Sequence, residues 1–246
     1  MQSESVSDRF SLFSTASAET LEWFVSGSEE HNYAENSVLI DKEDWGKEAI
    51  FIVSGWVNVC ALSSGQEVTL DILSTGDYLG EIAILDDFPP LERVVALSEV
   101  QLLKIPAQRF LQMLLKDSQL QQRMLQLTFQ KVRHLYRRLK SSSQSSQRAF
   151  IKTLMDFAKK YGKPTERGLK IFRIPDPCFA TMLGLEVSEI EQIIEKLSKN
   201  NLIEIDENSQ TLYIPNLKQL QHFSKQLLVN QQSLLIPSKP DLSITT

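Results

Sequence analysis

The 246 residues predict an α+β architecture: a small antiparallel roll or barrel, then a long helix, then a helix-turn-helix with a β-hairpin. Three patterns carry this expectation. Short runs rich in β-branched and aromatic residues, broken by glycine turns, fill residues 49–105. A helical apolar period then runs over 107–140 with little interruption. After a Ser/Gln-rich break at 141–147, the pattern restarts as helix, strand, helix-turn-helix and hairpin.

The strand runs come first. AIFIVSGWVNVCAL (49–62) and EVTLDILSTGDYLG (67–80) are interrupted at Ser54-Gly55, Ser64-Gly65 and Thr75-Gly76. Turn signals at this spacing mark a roll or barrel of short strands. Within them lies GDYLGEIAIL (76–85). Gly80 has no Cβ and lets backbone approach an anion closely. Glu81, an acceptor-only carboxylate, suits a ribose hydroxyl. ERVVALSEVQLLKIPAQRFLQMLL (92–115) is a strand pair running into an amphipathic helix.

In the long helix, Leu125, Thr128, Val132, Leu135 and Leu139 recur at spacings of three, four, three and four. That is the seam along which a helix pairs with its own copy, with packing on the roll as the alternative. AFIKTLMDFAKKYG (149–162) is amphipathic and ends at a glycine, GLKIFRIP (168–175) is a strand, and residues 176–203 read helix, turn at Gly184, helix. Ile190, Ile193, Ile194 and Leu197 form the inward face of the second helix, and residues 203–215 a hairpin. The expected domains are a roll at 1–115, a dimerisation helix at 116–140, a hinge at 141–147, a helix-turn-helix domain with an extra helix at 148–232, and a flexible tail at 233–246.

Composition excludes several classes. No apolar run approaches the roughly 20 residues needed to cross a bilayer, and MQSESVSDRF lacks the layout of a signal peptide. A cytoplasmic protein without membrane partners is therefore expected. Cys60 and Cys178 form no CxxC, and with 3 His residues no metal, iron–sulfur or haem site is expected. No GxSxG, P-loop or HExxH occurs, so no enzyme is expected. The net charge of −5 hides an asymmetry: residues 1–100 carry 4 basic and 19 acidic side chains, whereas 131–173 carry 13 basic and 2 acidic. The positive charge thus sits mid-chain, where it either grips phosphates or forms a solvated face balancing the acidic roll.

IFIVSGWVNV, LSTGDYLGEIAIL and VVALSEVQLLKIP followed by Phe110 give the first part of the chain, over residues 20–140, a frame that resembles the cyclic-nucleotide-binding domain of the Crp/Fnr transcription regulators. LGL…I…II..L…NLI in the last part resembles their winged-helix DNA-binding domain. The resemblance implies a dimer held by the long helix, and an event in the roll that reorients the winged-helix pair on DNA. It also implies an arginine for the cyclic phosphate and a hydroxyl next to it. Counting back from Ala96 puts Pro90 and Leu91 in those slots, with Arg93 three residues late and turned to the opposite face unless a bulge at Pro89-Pro90 re-aims it. Leu135 and Tyr136 fall where polar groups meet the purine. Losing the phosphate arginine removes a charge-assisted contact worth about 1.5–3 kcal/mol. The effector pocket (Gly80, Glu81, Pro90, Arg93, Leu135, Tyr136) therefore reads as degenerate, cyclic AMP is not the expected effector, and no cofactor is expected.

The recognition helix departs as well. Val187, Ser188, Glu191 and Gln192 stand at the reading positions that the resemblance assigns, with Glu186, Glu189 and Glu195 adding acid. Pro175-Asp176 stands where the phosphate contact opens the motif. Glu186 and Glu189 suit the helix N-terminus electrostatically. Only Ser188 and Gln192 are plausible base readers, with Lys170 and Arg173 among the flanking cations. The expectation is a DNA-binding regulator released from cyclic-AMP control, as a homodimer or paired with a related Crp/Fnr chain. The alternative is an adaptor that keeps the scaffold for protein–protein contact.

Overall fold

The computed structural model describes residues 3–41, 44–63, 65–86, 92–139 and 145–234. Helices α1 (Ser3–Arg9) and α2 (Ala18–Gly27), with a 3₁₀ turn (Ser11–Phe13) between them, precede β1 (Glu29–Tyr33) and β2 (Val38–Ile40). The roll continues with β3 (Glu48–Ser54), β4 (Trp56–Ser63), β5 (Gln66–Ser74), β6 (Tyr78–Leu79), the short α3 (Glu81–Leu85), β7 (Glu92–Ala96) and β8 (Val100–Pro106). Helices α4 (Ala107–Lys116) and α5 (Ser118–Leu139) follow. After them come α6 (Ser146–Tyr161), β9 (Lys163–Thr165), β10 (Gly168–Phe172), α7 (Asp176–Leu183), α8 (Val187–Lys199), β11 (Glu204–Asp206), β12 (Thr211–Ile214) and α9 (Leu217–Leu234).

The chain divides into two compact units: residues 1–143 with 174–187, and residues 144–173 with 188–246. In the first, the sheets β1-β8-β3-β6 and β2-β7-β4-β5 build the roll from antiparallel pairs. The run AIFIV in β3 explains how two cores meet at one strand, because successive side chains alternate between faces. Ile50 and Ile52 join Leu39, Val57, Leu73, Val94 and Leu102 inside the roll. Ala49, Phe51 and Val53 turn to a second, aromatic core with Phe10, Phe13, Phe24, Tyr78 and Phe110. Phe51 lies 4.9 Å from Phe24 and 5.3 Å from Phe10, ring centre to ring centre, both edge-on, a geometry that adds to area burial alone. The expectation starts strands at residue 49, whereas β1 and β2 and the aromatic N-terminal helices precede that point.

The long helix is not continuous from 107, as its apolar period predicts. It breaks at Asp117, a buried carboxylate that starts α5 and also anchors α2. Oδ1 accepts from the Gln119 and Leu120 N–H groups, each at 3.0 Å. Oδ2 accepts from the Ser17 N–H and the Thr20 hydroxyl, each at 2.8 Å. Burial pushes its pKa up, but the hydrogen bonds from Ser17, Leu120 and Thr20 outweigh it and hold the carboxyl below its ordinary value.

Also in the first unit, α7 packs beside β5, where the Thr69 N–H donates to Thr181 Oγ1 at 3.2 Å. Cys60 and Cys178 are buried free thiols. In the second unit, the sheet β11-β12-β10-β9 includes an unexpected edge strand, β9, and α6 starts at Ser146, inside the stretch expected as a hinge. Among the described residues no helix is long and apolar enough to cross a membrane, and no group of His, Cys, Asp and Glu is placed to hold a metal ion.

Candidate effector pocket and nucleic-acid interface

Gly80 precedes α3 with a left-handed backbone (φ 93°). A Cβ there would stand 2.6 Å from the Glu48 carbonyl oxygen. What the glycine admits in this chain is thus a close approach by its own β3, together with a turn that L side chains rarely adopt. That turn points Glu81 inward.

The Glu81 side chain is only 7% exposed and accepts a hydrogen bond from Lys131 Nζ of α5 at 2.5 Å. The same ammonium lies 4.4 Å from the Tyr78 ring centre, a cation–π distance. Tyr78 is buried, and its hydroxyl has no hydrogen-bond partner among the described residues. Burial, with the nearby Glu81 and Asp77 carboxylates adding to it, pushes that hydroxyl far above its ordinary pKa, so it stays protonated as a donor. Glu81, Lys131 and Tyr78 form one polar cluster under α5. Sequence reasoning missed Lys131, although it stands one helical turn before Leu135, which was assigned to the purine side.

Of the other pocket candidates, Arg93 and Tyr136 do not join this cluster. Arg93 on β7 donates from Nη1 to Glu67 Oε1 of β5 at 2.9 Å. Its neighbour Val94 is in the roll core, so alternation turns Arg93 outward as expected. Pro90 and Leu91 lie outside the described residues, as do the Leu135 and Leu139 side chains. Tyr136, expected at the purine, is 64% exposed. For a cyclic nucleotide, these residues offer Glu81 as a shared acceptor, since a carboxylate has room for more than one donor.

The faces of α5 explain where Tyr136 goes. Leu120 and Met124 are buried in the aromatic core, with Leu127 packed against it and Lys131 next along the same face. On the opposite face, Leu125 (56% exposed), Phe129 (63%), Val132 (41%) and Tyr136 form an apolar stripe at spacings of four, three and four. Of the expected seam, Leu125 and Val132 lie in this exposed stripe, where Phe129 and Tyr136 accompany them. Thr128 is exposed, and its hydroxyl donates to the Met124 carbonyl at 3.0 Å.

The turn between α7 and α8 is made by Gly184, left-handed at φ 67°, with the Leu185 N–H returning to the Ala180 carbonyl at 2.9 Å. Ile190, Ile193, Ile194 and Leu197 of α8 are buried, as expected. Ser188, Glu191 and Gln192 are exposed together at i, i+3 and i+4, while Glu189 is half-buried. The cations of this helix have partners within the chain: Lys199 meets Glu195 at 2.6 Å and Lys196 donates to Gln147 at 3.1 Å. Lys170 stands exposed on β10, and half-buried Arg173 follows that strand with its N–H on the Gln210 carbonyl.

Residues 30–117 match the model of the cyclic nucleotide-binding domain family. The chain is 26% identical over 200 residues to the cAMP-activated global transcriptional regulator CRP of Salmonella typhimurium, covering 75% of this chain and 89% of the relative. It is 26% identical over 194 residues to CRP of Pasteurella multocida, covering 75% and 90%. Among solved structures, FixK2 from Bradyrhizobium japonicum superposes with a TM-score of 0.67 at 13% identity, over 79% of this chain and 96% of that one. A variant of CooA from Carboxydothermus hydrogenoformans does so with 0.64 at 19% identity, over 85% and 96%. The chain thus carries a match to the cyclic nucleotide-binding domain over residues 30–117 and is similar to the CRP regulators over three quarters of its length, with a fold shared by FixK2 and CooA.

Proposed function

We propose that this chain is a cytoplasmic, non-enzymatic, DNA-binding transcription regulator that works as a dimer and is not controlled by cyclic AMP. Helix α8 carries the reading: three isoleucines and a leucine on its inner face are buried, and Ser188 and Gln192 are exposed on its outer face, where base readers stand. Gln pairs bidentately with adenine, which gives α8 one specific contact. The apolar stripe on α5 supports pairing with a second copy or with a related Crp/Fnr chain.

Release from cyclic AMP rests on the arginine. Arg93 follows the phosphate slot most closely in sequence, and it is held on Glu67. Without a guanidinium fork the phosphate loses its charge-assisted pair. The acid on and just before α8 (Glu186, Glu191 and Glu195, all exposed) favours a second reading, an adaptor that binds protein rather than DNA. A gel-shift assay on genomic fragments across a salt series separates the two. The regulator gives a specific complex that weakens steeply as salt rises. The adaptor gives none, alone or mixed with a related regulator.

A further inference from the structure

We infer that the outward face of the β9–β10 hairpin is a phosphate-gripping surface for the DNA backbone, an inference that rests on the DNA-binding reading above. Lys163 of β9 pairs directly with Lys170 of β10, Lys170 with Tyr213 of β12, and Tyr213 with Glu204 of β11. These four side chains form one row across the sheet. Ile171, Leu212 and Ile214 alternate with them and are buried, so the row faces solvent.

Both lysines are exposed, and among the described residues neither ammonium meets a carboxylate. The acid at the far end of the row is engaged elsewhere. Arg167 donates to Glu204 at 2.9 Å and its guanidinium stacks 4.0 Å from the Tyr213 ring centre. Glu166, exposed in the turn, is the one acid of the hairpin itself.

Like charges set directly opposite each other on neighbouring strands destabilise a sheet. Here one of them, Lys163, sits on a three-residue edge strand with Pro164 at its centre, which cannot complete its own hydrogen-bond ladder. The arrangement therefore weakens the hairpin in isolation, and an anion bridging the two ammonium groups relieves it. Lysine is a flexible point charge without the fork that reads base edges, so it suits phosphate contacts that position without specifying. Phosphodiester is the anion chosen because α8 presents Glu191 and Glu195 while its lysines are engaged within the chain. A DNA complex needs phosphate neutralisation from another surface of this domain.

The test is DNA binding by the full chain and by K163Q/K170Q, followed by fluorescence anisotropy across a salt series. The double variant is expected to bind about tenfold more weakly at moderate salt, uniformly across DNA sequences, and to lower the slope of log affinity against log salt by about 2 per protomer. Its melting temperature should be unchanged or raised, since the opposed charges are gone. Wild-type binding with the same affinity and slope in the variant overturns the inference, and leaves the face to solvent or an acidic protein. Absence of DNA binding by the wild type at every salt concentration overturns the regulator reading itself, and this inference with it.

Discussion

The Lys131 ammonium of α5 reaches the buried Glu81 carboxylate at 2.5 Å, tying the long helix to the left-handed Gly80 turn that starts α3. The pair joins two segments 50 residues apart. Removing the cation leaves a carboxylate buried beside an unpartnered tyrosine hydroxyl, so the loss falls on Glu81 more than on half-exposed Lys131.

A double-mutant cycle measures this. Lys131→Met should destabilise the first unit by about 1–3 kcal/mol, and the further change Glu81→Gln should recover part of the loss. Chemical denaturation of the two single variants and the double variant reads the coupling. Additive effects would show that the pair contributes nothing beyond its parts.

Asp117 gives a pH-dependent counterpart. Its carboxyl is held below the ordinary value in the folded chain, so it stabilises the fold above the unfolded-state pKa. That stability is lost as pH falls through the depressed folded value. Asp117→Asn should cost about 1–2 kcal/mol near neutral pH, through weaker capping of α5 and a lost anchor for α2. It should also flatten the acid limb of the stability profile. Thermal melts from pH 7 to pH 3 show whether that limb belongs to Asp117.

On the proposed function, the α5 stripe is the surface through which two copies pair. Phe129→Glu and Val132→Glu place charges on an exposed face, so each should leave monomer stability within about 0.5 kcal/mol. Each should abolish self-association if the stripe is the seam. Analytical ultracentrifugation reads this directly, and a variant that remains dimeric would move the seam elsewhere.

Local pattern made several of these features readable in the sequence. The AIFIV run of β3, the inward isoleucines of α8 and the Gly184 turn declare themselves through period and turn chemistry, and the structure has them where expected. Long-range partners were not readable. The break at Asp117 depends on Ser17 and Thr20, about a hundred residues away, and nothing in the local apolar period announces it. Lys131 looks like a surface lysine until the fold brings it to Glu81. Strand β9, with proline at its centre, carries no alternation from which to infer a strand. The exposed stripe of α5 was partly readable: Leu125 and Val132 follow from spacing, but the share of α5 taken by the aromatic core decides that Phe129 and Tyr136 complete the exposed face.

The central claim, DNA binding without cyclic-AMP control, is tested most directly by DNA affinity measured with and without saturating cyclic AMP under otherwise identical conditions. The account predicts the same affinity and the same salt dependence in both. A tenfold or greater gain on adding the nucleotide, equivalent to about 1.4 kcal/mol of coupling, would contradict it and restore an intact effector site around Glu81.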